Sequence, residues 1–242
     1  MIMASTNETG HNKNVANFNA VYHILEEMGP LYNPTNTKLQ LSNLADFRNR
    51  LQASVTELNN KQPVYKNAVA SRETAIAPLG KLMTKALNYA KSLDISSTDK
   101  ENIAKQAKKI RGDQKPKALN PETKETEGIS TSQMSYDSRL ANLDAFTHQL
   151  ASLYQYAPNE PEISIKQLQT MHAELTELSN TVNVAGNALI TARKNRNQIL
   201  YKDQTNIIQL VRDIKAYLKS LGDTAKPYYS AIVKLKFKEA YI

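Results

Sequence analysis

From Ile163 to Leu221, apolar residues recur at alternating intervals of three and four. They are Leu168, Met171, Leu175, Leu178, Val182, Ala185, Leu189 and Ala192, then, after a slip in phase, Ile207, Val211, Ile214, Leu218 and Leu221. Such intervals put side chains on one face of an α-helix. The pattern therefore predicts a single coiled-coil-like helix of 59 residues. A second seam runs from Leu39 to Leu93 through Leu44, Phe47, Leu51, Leu58, Tyr65, Ala68, Ala75, Leu79, Leu82, Ala86, Tyr89 and Leu93. Pro63 and Pro78 lie inside it, and each removes a backbone donor at about 3 kcal/mol in a helix interior. The seam keeps its phase across both, so kinks are expected rather than loops. Asn14–Met28 reads as a shorter helix, with Val15, Phe18, Val21, Tyr22, Leu25 and Met28 on one face and Gly29-Pro30 as its stop. Thr98–Ile110 reads as a short basic helix, with Thr98 as cap and Glu101 three residues on.

The second half of the chain repeats the first. Ala16-Asn17-Phe18-Asn19-Ala20 with His23 and Leu25 matches Ala141-Asn142-Leu143-Asp144-Ala145 with His148 and Leu150, 125 residues later. Tyr32-Asn33-Pro34 matches Tyr156-Ala157-Pro158 at 124, and Tyr89-Ala90-Lys91-Ser92-Leu93 matches Tyr217-Leu218-Lys219-Ser220-Leu221 at 128. The second copy has thus gained a net four residues between these anchors. Four residues turn a helix by about 400°, nearly restoring the apolar face, so the second long helix is expected to be continuous. In the ambiguous middle, Arg72 corresponds to either Arg193 or Arg196.

The expected fold is all-α: an elongated helical bundle from a tandem duplication, each unit a short helix, a Pro-containing turn and a long coiled-coil-like helix. A lone helix of ~85 Å exposes too much apolar seam to stand alone, so the two long helices are expected to pack on each other. The expected division is a disordered leader over 1–13, helical units over 14–111 and 134–224, a flexible linker over 112–133 rich in Lys, Glu, Pro and Thr, and a basic aromatic C-terminal tail over 225–242. The alternation Lys234-Leu235-Lys236-Phe237-Lys238 in that tail reads as a strand or irregular segment.

Ser130-Thr131-Ser132-Gln133-Met134-Ser135-Tyr136-Asp137-Ser138-Arg139, with Tyr32-Asn33-Pro34-Thr35-Asn36 and Tyr156-Ala157-Pro158-Asn159-Glu160, resembles a family of two-unit helical bacterial proteins, chiefly of the Bacteroidetes group. The resemblance implies a bacterial helical protein over nearly the whole chain after the leader. It brings no activity and no functional residue. In physical terms, Ser135 or Asp137 can cap the helix beginning near Tyr136.

Composition narrows the chemistry. The chain has no Cys, four His and seven Gly, so thiolate chemistry is absent and glycine-rich phosphate loops have no material. His11, His23, His148 and His172 lack the Glu-x-x-His partners of a di-iron bundle. No catalytic, cofactor-binding or metal-ligating residue is nominated, no cofactor is expected, and the chain does not read as an enzyme. Met1–Asn14 lacks the apolar core of a signal peptide, so residence in the cytoplasm is expected.

The net charge is +8, made of +6 over 1–111, −1 over 112–133 and +3 over 134–242. The excess is spread rather than gathered, so nucleic acid is not expected as a specific partner. The candidate interaction residues are Lys226, Tyr228, Tyr229, Lys234, Lys236, Phe237 and Lys238, where aromatics and lysines interleave. The expected function is that of a helical scaffold or interaction protein, acting on itself or another helical protein. The alternatives are action at an anionic membrane surface, in the manner of helical pore-formers, and weak non-specific binding of nucleic acid.

Overall fold

The computed structural model describes residues 6–111 and 135–238. The linker expected over 112–133 lies outside them. The fold is all-α: α1 Thr6–Glu27, α2 Leu41–Ile76, α3 Leu79–Ser92, α4 Ser97–Arg111, α5 Tyr136–Ala151, α6 Ile165–Asn197, α7 Ile207–Ser220 and α8 Lys226–Lys234.

Two compact units form, and neither follows the sequence repeats. The first joins residues 1–64 to 186–242, and the second is 65–185. In the first, Phe18, Val21 and Leu25 of α1 and Leu44, Phe47 and Leu51 of α2 are buried against Leu210, Ile214 and Leu218 of α7 and Ile232 of α8. In the second, Leu143, Phe146 and Leu150 of α5 and Leu168 and Leu175 of α6 are buried against Met83, Ala86 and Ala90 of α3 and Ile103, Ala107 and Ile110 of α4. Each core is therefore closed by residues from both halves of the sequence. Within the second unit α2 and α6 meet at Ala68, Val182 and Ala185. An ion pair joins Lys85 of α3 to Glu162, just ahead of α6. The two long helices consequently run in opposite directions within this unit.

Matched contacts close the two units. The Tyr32 hydroxyl donates to the Leu39 carbonyl at 2.7 Å, and the Tyr156 hydroxyl donates to the Ile163 carbonyl at 2.9 Å. The Tyr32 ring meets Tyr217 edge-on at 5.4 Å, and Tyr156 meets Tyr89 in the same way at 5.3 Å. Asn14 of α1 donates to the Lys238 carbonyl at 2.7 Å, and Arg139 of α5 donates to the Ile110 carbonyl at 3.1 Å. Positions 14 and 139 stand 125 apart, and positions 110 and 238 stand 128 apart, the offsets of the flanking sequence matches. Burial, and secondly the neighbouring tyrosine, pushes the Tyr32 and Tyr156 hydroxyls far above the ordinary phenol range. Both are thus held as neutral donors.

Three expectations are corrected. The 1–13 leader is helical from Thr6, because His11 and Asn14 are buried on the α1 face. Pro63 is carried on the solvent side of an unbroken α2, but Pro78 does not merely kink it: α2 ends at Ile76 and α3 starts at Leu79. The second long helix is not continuous either. α6 stops at Asn197, a π-turn occupies Gln198–Lys202, and Asn206 caps α7 by accepting from the Gln209 N–H. α6 is three residues shorter than α2, with 33 against 36. Nine residues, 198–206, stand where 77–78 are two, so the net gain of four falls at this joint. The tail opens as helix over Lys226–Lys234, and the alternating segment read as strand or irregular is irregular extended chain from Leu235. The caps follow the sequence more closely. Ser135 accepts from the Ser138 N–H, and Ser96, two residues ahead of the expected Thr98, accepts from the Asp99 N–H.

Two outcomes are expected. Tyr32→Phe and Tyr156→Phe each orphan a buried carbonyl and lower stability by ~1–3 kcal/mol. Urea unfolding checks this, and a loss at one site alone would contradict their equivalence. Removing residues 226–242 takes the buried Ile232 out of the first core and lowers stability by ~2–5 kcal/mol, read as a drop in the thermal midpoint. An unchanged midpoint would mean that the tail is not part of the core.

Candidate interaction site

The tail lies along α1 and α7, so its candidate residues divide. Tyr228, Tyr229, Leu235 and Phe237 are half-buried against the first core. The side chains of Lys226, Lys234, Lys236 and Lys238 remain exposed. Lys226 faces Asp223 at 3.8 Å on the open surface, a pair worth little. The segment after α8 is fixed through its backbone. Asn17 donates to the Lys236 carbonyl at 2.7 Å, and Asn14 both donates to the Lys238 carbonyl and accepts from its N–H at 3.0 Å. Asn14 is 1% exposed, which makes these bonds a rigid attachment.

The same asparagine belongs to a polar cluster under the π-turn. Its side-chain N–H donates to the Tyr201 hydroxyl at 3.0 Å, and that hydroxyl lies 2.7 Å from His11 Nδ1. Arg196, 1% exposed, sits close by and donates to the Asn197 side-chain oxygen at 2.9 Å. Arg196 stands 124 residues after Arg72, and Tyr136 stands 125 after His11. In the second unit the Arg72 guanidinium lies 3.7 Å over the Tyr136 ring. π-turns often mark functional positions, and this one brings Tyr201 to the cluster. Burial raises the Tyr201 hydroxyl above the ordinary phenol range, although the Asn14 hydrogen bond and the Arg196 charge pull the other way.

Beside the fixed tail lies a groove of about 430 Å³. α7 contributes Ile208, Val211, Arg212 and Lys215; α8 and the extended segment contribute Val233, Leu235, Lys236 and Phe237. Two candidates from the sequence, Lys236 and Phe237, are brought together here. Lys226, Tyr228, Tyr229, Lys234 and Lys238 are not part of the lining. Arg212 and Lys215 were missed because α7 reads as one more stretch of seam. A signal was present, however: Lys215 stands 128 residues after Leu87, which is buried.

In the second unit α4 runs for 15 residues, against nine in α8 of the first. Its last turns bury Ala107 and Ile110 against α3, while Arg111 reaches over Gly80 and donates to Thr84 at 3.0 Å. A second hollow, of about 500 Å³, lies between the loop after α3 and the end of α5, beside Asp94, Asp99 and Tyr154. Among the described residues, no group of three or more His, Cys, Asp or Glu could hold a metal ion, and no helix is long and apolar enough to cross a membrane.

The tyrosines give a pH test. Tyr32, Tyr156 and Tyr201 have raised folded values, so their contribution is complete below the unfolded value of about 10 and is lost as pH rises through the folded values. Absorbance titration is expected to show a late phase, from Tyr32, Tyr156 and Tyr201, that coincides with loss of helicity. Tyr201→Phe removes part of the late phase. A single early phase for all twelve tyrosines would contradict the buried contacts.

Comparison with protein-family models, with curated proteins and with solved structures finds no match to this chain.

Proposed function

We propose that the chain is a non-enzymatic helical interaction protein that arose by tandem duplication and acts through protein–protein contact. The matched tyrosine and backbone contacts of the two compact units support the duplication. The interaction reading rests on one observation: a groove with an apolar floor lies beside the tail of the first unit, flanked by Arg212, Lys215 and Lys236. Copies of one element keep their shared core for stability, and a surface on which they differ is where a specific task belongs. Divergence that uncovers apolar side chains exposes the chain to aggregation unless something covers them.

Photo-cross-linking tests this reading. A benzophenone side chain in place of Lys234 or Lys238, beside the groove, is expected to give a discrete cross-linked species in the cells that make the protein. The same group in place of Lys105, an exposed lysine on α4 of the second unit, is expected to give none. Absence of any discrete species from all three positions would overturn the interaction reading.

A further inference from the structure

The groove has two unlike walls. One is a helical stripe, Ile208, Val211, Arg212 and Lys215, whose spacing is that of a single helix face. The other is extended chain, where Leu235 and Phe237 flank Lys236. Three cations stand around an apolar floor, and among the described residues the lining contains no carboxylate. Among the described residues Arg212 meets only Gln209 of its own helix, at 3.4 Å. Neither Lys215 nor Lys236 forms an ion pair among the described residues. Lys215 is half-buried, and its ammonium group is pushed below the ordinary lysine range, first by burial and then by the charge of Lys236. Two cations facing one half-buried site repel each other, and an incoming anion relieves that repulsion.

The shape of the occupant follows from the groove itself: one wall sets its residues at helical spacing, the floor is apolar, and Val233 is left 39% exposed. A small carboxylate would need enclosure, since small-molecule sites bury most of the ligand surface, whereas a groove open to solvent suits an element laid across it. A second copy of this chain has the wrong sign, with its net charge of +8.

We propose, resting on the interaction reading above, that this groove docks an acidic amphipathic helix of a partner protein. The apolar face of that helix covers Val211, Val233 and Phe237, and its carboxylates pair with Arg212, Lys215 and Lys236. Apolar anchors at helical spacing give the hold, and the flanking charges give sign selectivity.

The test uses the full chain and a fluorescent helical peptide of about 15 residues, with leucines along one face and glutamates flanking them. A reference peptide carries glutamine at each glutamate position. Anisotropy is expected to show the glutamate peptide binding about tenfold or more tighter than the glutamine peptide, with the difference shrinking as salt is raised. Lys215→Gln with Lys236→Gln is expected to weaken glutamate-peptide binding by about tenfold without lowering the thermal midpoint. Val233→Glu, at an exposed position, is expected to weaken both peptides. Equal binding of the two peptides, or binding indifferent to both variants, overturns the proposal. So does binding of phosphatidylserine vesicles or of decanoate that depends on Lys215 and Lys236 while the acidic peptide fails to bind. A cross-linked partner that persists undiminished in the double-glutamine variant removes the groove assignment and leaves the interaction reading standing. Absence of any cross-linked partner removes the interaction reading itself.

Discussion

No sequence repeat in this chain can close its own core. Phe18, Leu25 and Leu44 share one core with Ile214, Leu218 and Ile232, which arrive from the other end of the sequence. Leu143, Leu150 and Leu168 share the other with Met83, Ala86 and Ile103. Burial of apolar area is the main favourable term in folding, so this reciprocal cover is the constraint on which the other features depend. It requires α2 and α6 each to pass from one compact unit to the other. It also explains why the tyrosine pairs take one ring from each half, Tyr32 with Tyr217 and Tyr156 with Tyr89.

Against that shared frame, the differences between the halves carry the information. Where the first half turns from α2 to α3 through Ala77-Pro78, the second inserts a π-turn and a capped restart at Asn206. The insertion carries Tyr201 over α1, where its hydroxyl meets His11 and Asn14. Asn14 in turn fixes the last described residue of the tail. The joint, the tail and the groove beside it are thus one connected construction in the first unit. In the second unit, Arg139 and a longer α4 occupy the corresponding positions. Leu87 of α3 is buried, whereas Lys215 of α7, 128 residues later, is half-buried.

Much of the helical content was legible in the sequence because periodicity reports burial directly. Every seam position named between Leu168 and Ala192 is buried or half-buried, and so is every one named between Leu44 and Leu93. What periodicity does not report is which seam covers which. A phase-preserving seam looks the same whether a helix continues or restarts in register, so Pro78 and the Asp203–Asn206 joint read as kinks or slips rather than ends. The division into compact units was hidden for a related reason: the repeats are contiguous in sequence, while the cores are not. Of the candidate site, Lys236 and Phe237 were legible as interleaved charge and aromatic. Arg212 and Lys215 were not, since a cation on the edge of an amphipathic helix ordinarily marks a solvated face. The lysine alternation in the tail read as a strand or irregular segment, and the chain is irregular there from Leu235 on.

The central claim is that each compact unit needs both halves of the sequence. A protease site introduced between Arg111 and Ser135 tests it most directly, with the cleaved chain examined by size exclusion and thermal melting. Reciprocal cover predicts that the two fragments stay together as one particle with a cooperative melt, and that either fragment, once separated, loses that melt. Two fragments that part under native conditions and each melt cooperatively would contradict it.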